Sequence, residues 1–584
     1  LMFSRTRVFR LFVVALVASA GGLLAGRAVA ESPSLAKSMP AGALAFGEVA
    51  DLESVIDRVQ SSDYLKQVLE SPQFQDVAKS QQYKQAQAGR AVLEKQLGMD
   101  LWTVGKKLLG NRIAVAVYPK PNSDQPDAVA IIQVKDAQTL VNLRKQVEPL
   151  LMLTGAKIEK SKIGDGVELV AINDSVFFGI NDKWIAASSN RDLLTRTVGL
   201  LSDEEATSLT EDDAYQLMSK KMGTEHLGRV FVNTGTLAEA TGGRFGLPEK
   251  MDNPLASLLV GGILELAVHS PYAGLTLDVE ENQFVLSAGI DGDQSKLGEL
   301  FSPFFASPPA TGTRPIPAVP QLIGGVTIYR DFADWYGRRE ELLQPQILPG
   351  FDQFEAGLGN ILPGRDFGED VLPQLGKNIT LVAARQDYSH LDGKPGVKLP
   401  GFAAIFELGR PDEGAQTFQM FFQTLSAILN LQAGQQGRKP WLLDTEIYKD
   451  VKVSYGRYLK KPEGDRLPLV FNFMPASARV GDKYIISSSV DLCRNLIDAL
   501  KKPENNKRVE KNLNLEFHFD PFADIIEANQ DFFQAQRIQQ GRTTDEAKQD
   551  MAAILNLLRY FKSLDFNTTA TNDAFTVQLK GAWK

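Results

Sequence analysis

Two serine runs are the strongest candidates for chemistry in this 584-residue sequence. Ser188 and Ser189 follow one predicted strand, and Ser488 and Ser489 follow another. Each run leads into a predicted helix, and backbone N–H groups at a helix N-terminus can bind an anion. Serine at this place can instead cap the helix, which is the favoured interpretation. These four serines are therefore the candidate anion or ligand residues, with both roles left open.

Histidine and cysteine are scarce, which limits the catalytic and metal chemistry of the chain. Cys493 is the only cysteine, so disulfides within the chain and sites with several cysteine ligands are excluded. The four histidines form no close pair of the kind that binds zinc: His226, His269, His390 and His518. The sequence also lacks a Gly-x-Ser-x-Gly motif and a phosphate-binding glycine loop. We expect no catalytic residues, no cofactor and no metal site.

The composition is that of an ordinary globular protein with an acidic balance. Lys and Arg number 63 against 71 Asp and Glu, which gives a net charge of −8, and 43% of the residues are hydrophobic. Nucleic-acid binding needs a basic surface, so the charge argues against nucleic acid as a partner.

The first thirty residues have the three parts of a secretory signal peptide. Arg5, Arg7 and Arg10 precede an uncharged stretch at 11–24, and Ala28-Val29-Ala30 supplies a cleavage pattern. The uncharged stretch has fourteen residues, whereas a membrane span needs about 20. We predict a signal peptide at 1–30, export to the periplasm or outside the cell, and no integral membrane span after cleavage. An uncleaved anchor is the alternative.

An internal repeat is the most informative feature of the sequence. The segment 182–189 matches 482–489, the segment 109–116 matches 375–382, and two predicted hairpins near 275–287 and 566–579 close the two halves. Adjacent strands joined by short turns imply antiparallel pairing. The sequence predicts an α+β fold of two tandem duplicated halves, each a mainly antiparallel sheet with helices packed on it.

The predicted boundaries follow from the repeat and from a proline-rich stretch. Six prolines between 303 and 320 favour an extended spacer. We place the first repeat at 31–300, the linker at 301–318 and the second repeat at 319–584. The drifting offset between the halves indicates insertions at 386–400 and 433–466, which we expect to be surface loops.

Three motifs carry a resemblance to known proteins. They are the Met39-Pro40-Ala41-Gly42 stretch that opens 39–46, a Leu-Gly turn before a strand, and the Asp-Lys-aromatic-Ile step that ends in Ser-Ser. Together they resemble an uncharacterised family of large exported bacterial proteins, classified as a domain of unknown function. The resemblance covers most of 39–584 and implies export and architecture, with no catalytic residue to carry over.

The sequence leaves three functions open. The first is a noncatalytic exported envelope protein that binds or scaffolds an unknown envelope protein. The second is a carrier of an apolar ligand between the two halves. It is suggested by three phenylalanine clusters, which could equally be core packing: Phe301, Phe304 and Phe305; Phe351 and Phe354; Phe418, Phe421 and Phe422. The third is a hydrolase with dispersed catalytic residues.

Overall fold

The computed structural model describes most of the chain after the predicted signal peptide, which lies outside the described residues. The described residues are 33–61, 69, 72–109, 111–120, 123, 125–153, 157–163, 167–202, 207–241, 243, 247–280, 282–306, 312–389, 391, 393–437, 441–458, 464–571 and 573–584.

The chain forms two compact units. Unit 1 comprises the described residues up to 246 together with 270–291, and unit 2 comprises 247–269 and 292–584. A helix that lies before residue 270 in the sequence therefore belongs to unit 2. The described part of the proline-rich stretch also belongs to unit 2, where Ile316 and Val319 are buried. The repeat boundaries at 31–300 and 319–584 stay a prediction.

The described residues of unit 1 form ten strands in one antiparallel sheet. The strands are β1 (Ala45–Ala50), β2 (Arg112–Tyr118), β3 (Asp127–Gln133), β4 (Ile158–Ile163), β5 (Val167–Ile172), β6 (Val176–Ile180), β7 (Trp184–Ser188), β8 (Gly228–Asn233), β9 (Tyr272–Glu280) and β10 (Gln283–Asp291). Their spatial order is β4–β5–β6–β7–β3–β2–β1–β8–β9–β10.

In the described part of unit 2, a second antiparallel sheet also has ten strands. Its strands are β11 (Leu322–Tyr329), β12 (Leu375–Ala384), β13 (Gly401–Leu408), β14 (Trp441–Tyr448), β15 (Val451–Tyr458), β16 (Ala476–Val480), β17 (Lys483–Ser487), β18 (Leu513–His518), β19 (Phe561–Ala570) and β20 (Ala574–Trp583). Their order is β14–β15–β16–β17–β13–β12–β11–β18–β19–β20. Each strand of unit 1 thus holds the same place as the strand numbered ten higher in unit 2.

Helices connect the strands. They are α1 (Leu52–Ser61), α2 (Pro72–Ala78), α3 (Gln81–Leu97), α4 (Leu101–Leu109), α5 (Ala137–Leu153), α6 (Arg191–Leu201), α7 (Asp213–Met222), α8 (Thr234–Thr241), α9 (Pro254–His269), α10 (Phe332–Gly337), α11 (Arg339–Leu342), α12 (Leu348–Gly359), α13 (Pro411–Gln435), α14 (Val490–Leu500), α15 (Phe519–Ala528), α16 (Gln530–Gln539) and α17 (Thr544–Tyr560). The predicted α+β class with antiparallel sheets is confirmed. In the described part of the chain, no helix is both long and apolar enough to cross a membrane.

Alternating side chains give each sheet a buried inner face. On β1, Phe46 and Glu48 point inward and are buried, while their neighbours are half-buried. In unit 1, α6 and α7 contribute the buried Leu194 and Tyr215 to the core beside Phe231. In unit 2, the inner face carries the core side chains of α14, which include Leu492, Cys493, Leu496 and Ile497.

The prediction of a surface loop at 433–466 is wrong for the described residues 441–458. Strands β14 and β15 pair across 441–458, and the turn between them is Lys449-Asp450 with φ angles of 46° and 63°. Two central residues with positive φ make the tight turn whose twist suits a hairpin. The polar composition hid a strand pair whose outer strand carries Asp444 and Glu446 on one face and the apolar Leu443 and Ile447 on the other. By contrast, the described residues of 386–400 contain only a two-residue strand, 394–395.

Candidate functional site

A charged cluster lies beside a pocket at one end of the unit 2 sheet. We call it the Glu407 cluster; its charged residues are Arg314, Glu407, Asp482, Lys483 and Arg508. Glu407 ends the inner face of β13 and is buried. Arg314 donates to Glu407 Oε1 from Nη2 at 2.6 Å and from Nε at 3.1 Å. Arg508 Nη2 donates to the same oxygen at 2.9 Å, so two guanidinium groups share one carboxylate.

The remaining charged residues of this cluster, Asp482 and Lys483, are also paired. Arg314 Nη2 lies 2.9 Å from Asp482 Oδ2, and Lys483 Nζ lies 2.8 Å from Asp482 Oδ1. Asn378 Nδ2 donates to Glu407 Oε2 at 2.9 Å. The three cations and two carboxylates carry a net charge of +1, and both carboxylates are held by cations.

The protonation of the two carboxylates follows from opposing effects. Burial by itself raises the pKa of Glu407, but hydrogen bonds from Asn378 and Arg314, together with the charges of Arg314 and Arg508, outweigh it and leave the pKa below its ordinary value. Burial likewise raises the pKa of Asp482, and the hydrogen bond from Lys483 leads the effects that bring it below the ordinary value. Both groups stay ionised at neutral pH, so neither can act there as a general acid.

A pocket beside the cluster has a volume of about 300 Å³ when the solvent at its mouth is counted. It is lined by Arg314, Pro315, Pro317, Asn378, Thr380, Ile405, Glu407, Lys483, Leu500 and Asn505. Its enclosed part has room for about one water molecule. The enclosed part of the pocket can therefore hold about one water molecule, beside side chains that are already paired with one another.

Unit 1 has a charged cluster of its own, which we call the Glu48 cluster: Glu48, Arg112 and Arg229. All three residues are buried and lie on neighbouring strands β1, β2 and β8. Arg229 Nε donates to Glu48 Oε2 at 3.0 Å, and Arg112 Nη1 lies 3.3 Å from Glu48 Oε1. The Arg229 guanidinium also stacks over the rings of Phe46 and Tyr215 at 5.7 and 5.4 Å.

Both clusters fasten the segment that precedes the first strand of their unit. We call these the leading segments, 34–43 in unit 1 and 312–319 in unit 2. The Leu35 N–H and the Ser34 hydroxyl donate to Glu48 at 2.7 and 2.9 Å. In unit 2 the segment supplies Arg314 itself, and Arg508 Nη1 donates to the Gly312 carbonyl at 3.2 Å. The charges therefore hold chain to sheet.

Ser188 and Ser189 do not form a hydroxyl pair. Ser188 Oγ donates to the Ala128 carbonyl on β3 at 2.8 Å and accepts from the Asn190 N–H at 3.1 Å. Ser189 is exposed. Asn190 caps α6, since its Oδ1 accepts from the N–H groups of Asp192 and Leu193. The first amides of this helix are thus already bonded within the chain.

Ser488 and Ser489 also join the backbone network. Ser488 Oγ accepts from the Phe402 N–H at 2.8 Å, which extends the β13–β17 pairing by one residue. Ser489 is buried at the N-cap position of α14, and its hydroxyl makes no capping bond. An anion-binding role for the four serines stays a prediction, and each pair lies within its own unit.

The cysteine and the histidines are the other side chains that could act as nucleophile or base, and the described contacts of Cys493 and His226 are structural. Cys493 is fully buried, and burial raises the pKa of its thiol to about 12, so it carries no reactive thiolate at neutral pH. His226 bridges Asp278 Oδ2 and the Met222 carbonyl, both at 2.7 Å, and the bond to Asp278 raises its pKa. His518 is half-buried on β18, and His390 lies outside the described residues.

The phenylalanine clusters pack within unit 2. Phe418 on α13 lies against Phe406 and Tyr484, with ring centroids 4.7 and 5.3 Å apart. Phe305 meets Phe575 edge-on at 6.1 Å. The second cluster is less enclosed, because Phe354 packs on Phe367 yet is half exposed.

Across the described ranges, no three His, Cys, Asp or Glu side chains come together as metal ligands would. The Glu48 and Glu407 clusters were not predicted. A local signal exists for the first, because Glu48 occupies an inward position of an otherwise apolar strand. For the Glu407 cluster in unit 2, no local sequence pattern indicates that Arg314 takes part.

Comparison with known proteins gives no assignment. No family model matches the chain and no curated protein matches it, which agrees with the resemblance to a family of unassigned function. Crystal forms III, I and IV of TP0453 match at 8% identity with TM-scores of 0.25, 0.24 and 0.23. They cover 47%, 46% and 48% of this chain and 85%, 82% and 83% of theirs. Such low TM-scores carry no argument about fold or function.

Proposed function

We propose that the chain is a noncatalytic protein of the bacterial envelope that binds or scaffolds another envelope component. This proposal rests on the bonds that the reactive side chains make within the protein. In both charged clusters every carboxylate is held by cations, and Ser188 and Ser488 bond to backbone. Side chains that are bonded in this way stabilise the fold, so we expect the protein to bind its partner through its surface.

Export and duplication are parts of the same proposal. Export rests on the signal-like pattern at 1–30. Duplication rests on the sequence repeat and is supported by the identical order of ten strands in the two units. An experimental structure in which the two strand orders differ would remove that support.

The first test is native mass spectrometry of the protein purified gently from its own cell envelope. We expect a bound partner protein, seen as an added mass that is lost on denaturation. A bound apolar small molecule would support the carrier alternative instead. A bare monomer from every envelope preparation would contradict the binding proposal.

A second test separates binding from hydrolysis. A fluorophosphonate probe labels activated serine nucleophiles, and we expect no labelling of the native protein. Ser188→Ala and Ser488→Ala are the matched controls. Labelling that either substitution abolishes, with the fold retained, would establish the hydrolase alternative.

A further inference from the structure

The two sheets end in edge strands of opposite character. Strands β4 and β14 hold the same outer place, and each pairs with a single strand among the described residues. Strand β4 exposes charged residues over Glu159–Lys162. Strand β14 instead exposes Leu442, Leu443 and Ile447 by 38%, 43% and 70%. Charged side chains protect an edge from pairing with another chain, whereas an apolar edge invites it.

The hairpin turn decides which backbone groups of β14 face outward. Because the turn has two residues, Tyr448 and Val451 form a hydrogen-bonded pair, and bonding to β15 alternates from there. The backbone groups of 441, 443, 445 and 447 therefore point away from β15. The side chain of Asn430 confirms this at Trp441, where it bonds both the N–H and the carbonyl at 2.9 Å. Asn430 thus caps one end of an open edge.

We propose that β14 pairs antiparallel with β14 of a second copy of this chain, about a two-fold axis at Thr445. The register places Leu443 opposite Ile447 of the partner subunit and Leu442 opposite Tyr448 of the partner subunit. Thr445 lies opposite Thr445 of the partner subunit. Apolar cross-strand pairs and Thr–Thr pairs both stabilise antiparallel sheets. An isologous contact of this kind closes on itself as a dimer.

The remaining pair in this register has its charges already balanced. Asp444 lies opposite Glu446 of the partner subunit, and two bare carboxylates there would repel. However, Arg457 Nε holds Asp444 at 2.8 Å, and Arg494 holds Glu446 through two bonds of 2.8 and 2.7 Å. The strand is therefore self-complementary over 442–448 in shape and in charge.

The area that the contact buries indicates the affinity of the dimer. A stable interface buries about 1,200–2,000 Å² in total, and one strand pair falls below that range. Leu429 and Leu431, exposed by 40% and 66% on either side of Asn430, extend the apolar surface next to the edge. We expect a reversible dimer that forms over about 1–100 µM.

Sedimentation equilibrium of the full mature chain tests the dimer. The native protein should show a concentration-dependent shift from monomer to dimer, and Ile447→Lys should raise the dissociation constant at least about tenfold. Ile447 is 70% exposed, so the substitution leaves the fold intact, which circular dichroism checks. Ser161→Lys on β4 is the matched control and should leave the dimer unchanged. A native protein that stays monomeric overturns the proposal. It does so even if β14 pairs with a strand of another protein.

Engineered cysteines test the register. Paired residues of this type have Cα atoms about 5.5 Å apart, within reach of a disulfide. Thr445→Cys should therefore cross-link two chains when diamide is added. Leu443→Cys should not, because its counterpart lies about 13 Å along the strand. Equal cross-linking by both variants, or by Ser161→Cys on β4, overturns the two-fold register.

Discussion

The two units bury different side chains at the same place in their sheets. In unit 1, Glu48 on β1 lies opposite Arg229 on β8, and the two form a buried ion pair. The corresponding position in unit 2 is Thr327 on β11, opposite Asn514 on β18. Thr327 is equally buried and shares a 2.9 Å hydrogen bond with Thr380. One sheet thus holds charge where the other holds two neutral hydroxyls.

The reverse difference occurs on β3 and β13. By register, Val134 follows β3 where Glu407 stands on β13, and Val134 packs with Leu108 and Leu140. The strand order is therefore independent of where the charge is buried. The two clusters share a structural role, because each holds the leading segment of its own unit. The apolar alternation therefore sets the sheet in both units, and the ion clusters tie the leading segments onto it.

Breaking the Glu48 cluster should have the largest effect. Glu48→Gln leaves two buried guanidinium groups without their carboxylate, and this kind of loss costs about 3–5 kcal/mol. Urea unfolding, with hydrogen exchange of β1 and β8 to locate the change, measures it. Glu225→Gln is the exposed control and should change stability by no more than about 0.5 kcal/mol. Equal losses for both variants would show that the ion pair is not holding unit 1.

The Glu407 cluster should cost less to break, because Arg508 and Asp482 reach solvent. We expect Glu407→Gln to destabilise unit 2 by about 1.5–3 kcal/mol at neutral pH. The sign of its pH dependence follows from the lowered pKa of Glu407. Its contribution is complete above the ordinary glutamate pKa and is lost as pH falls through the lower folded value. Urea unfolding of the variant should therefore lose this acid dependence, and an unchanged acid dependence would contradict the assignment.

The neutral pair gives a third test of the comparison. Thr327→Val leaves the buried Thr380 hydroxyl without its partner, which costs about 1–3 kcal/mol. The double variant Thr327→Val with Thr380→Val should recover most of that loss, because both polar groups are then removed. Thermal unfolding of the single and double variants measures the coupling. Additive losses would mean that the two hydroxyls do not act as a pair.

The smallest effect is expected at Asp565 on β19. Burial raises the pKa of Asp565, and the charge of Glu516, directly opposite on β18, adds to the rise. Lys580 on β20 and His518 oppose it. Since a raised pKa means that ionisation costs stability, Asp565→Asn should stabilise the protein by about 0.2–1 kcal/mol at neutral pH. The gain in urea unfolding should be complete above the folded pKa of Asp565, decline as pH falls through that pKa and vanish below the ordinary aspartate pKa. A gain that persists in acid would have another cause.

Local patterns account for much of the fold and little of the candidate site. Short turns between adjacent predicted strands indicated antiparallel pairing, which the structure confirms. The hairpin at 441–458 escaped because its exposed edge strand lacks the regular alternation of a half-buried strand. The four serines lie where strands lead into helices, as predicted, but Ser188 and Ser488 find their hydroxyl partners on neighbouring strands, and Ser188 also at Asn190.

The α+β class can be inferred from local sequence patterns, because periodicity and turn residues act over a few neighbouring positions. Which charges meet depends on the tertiary structure. Glu48 and Arg229 are 181 positions apart in the sequence, and Arg314 and Glu407 are 93 apart. Their contacts depend on strand register and on the path of each leading segment. A shift of one residue would turn Glu48 to the opposite face of its sheet, so these pairs exist only in the assembled sheets.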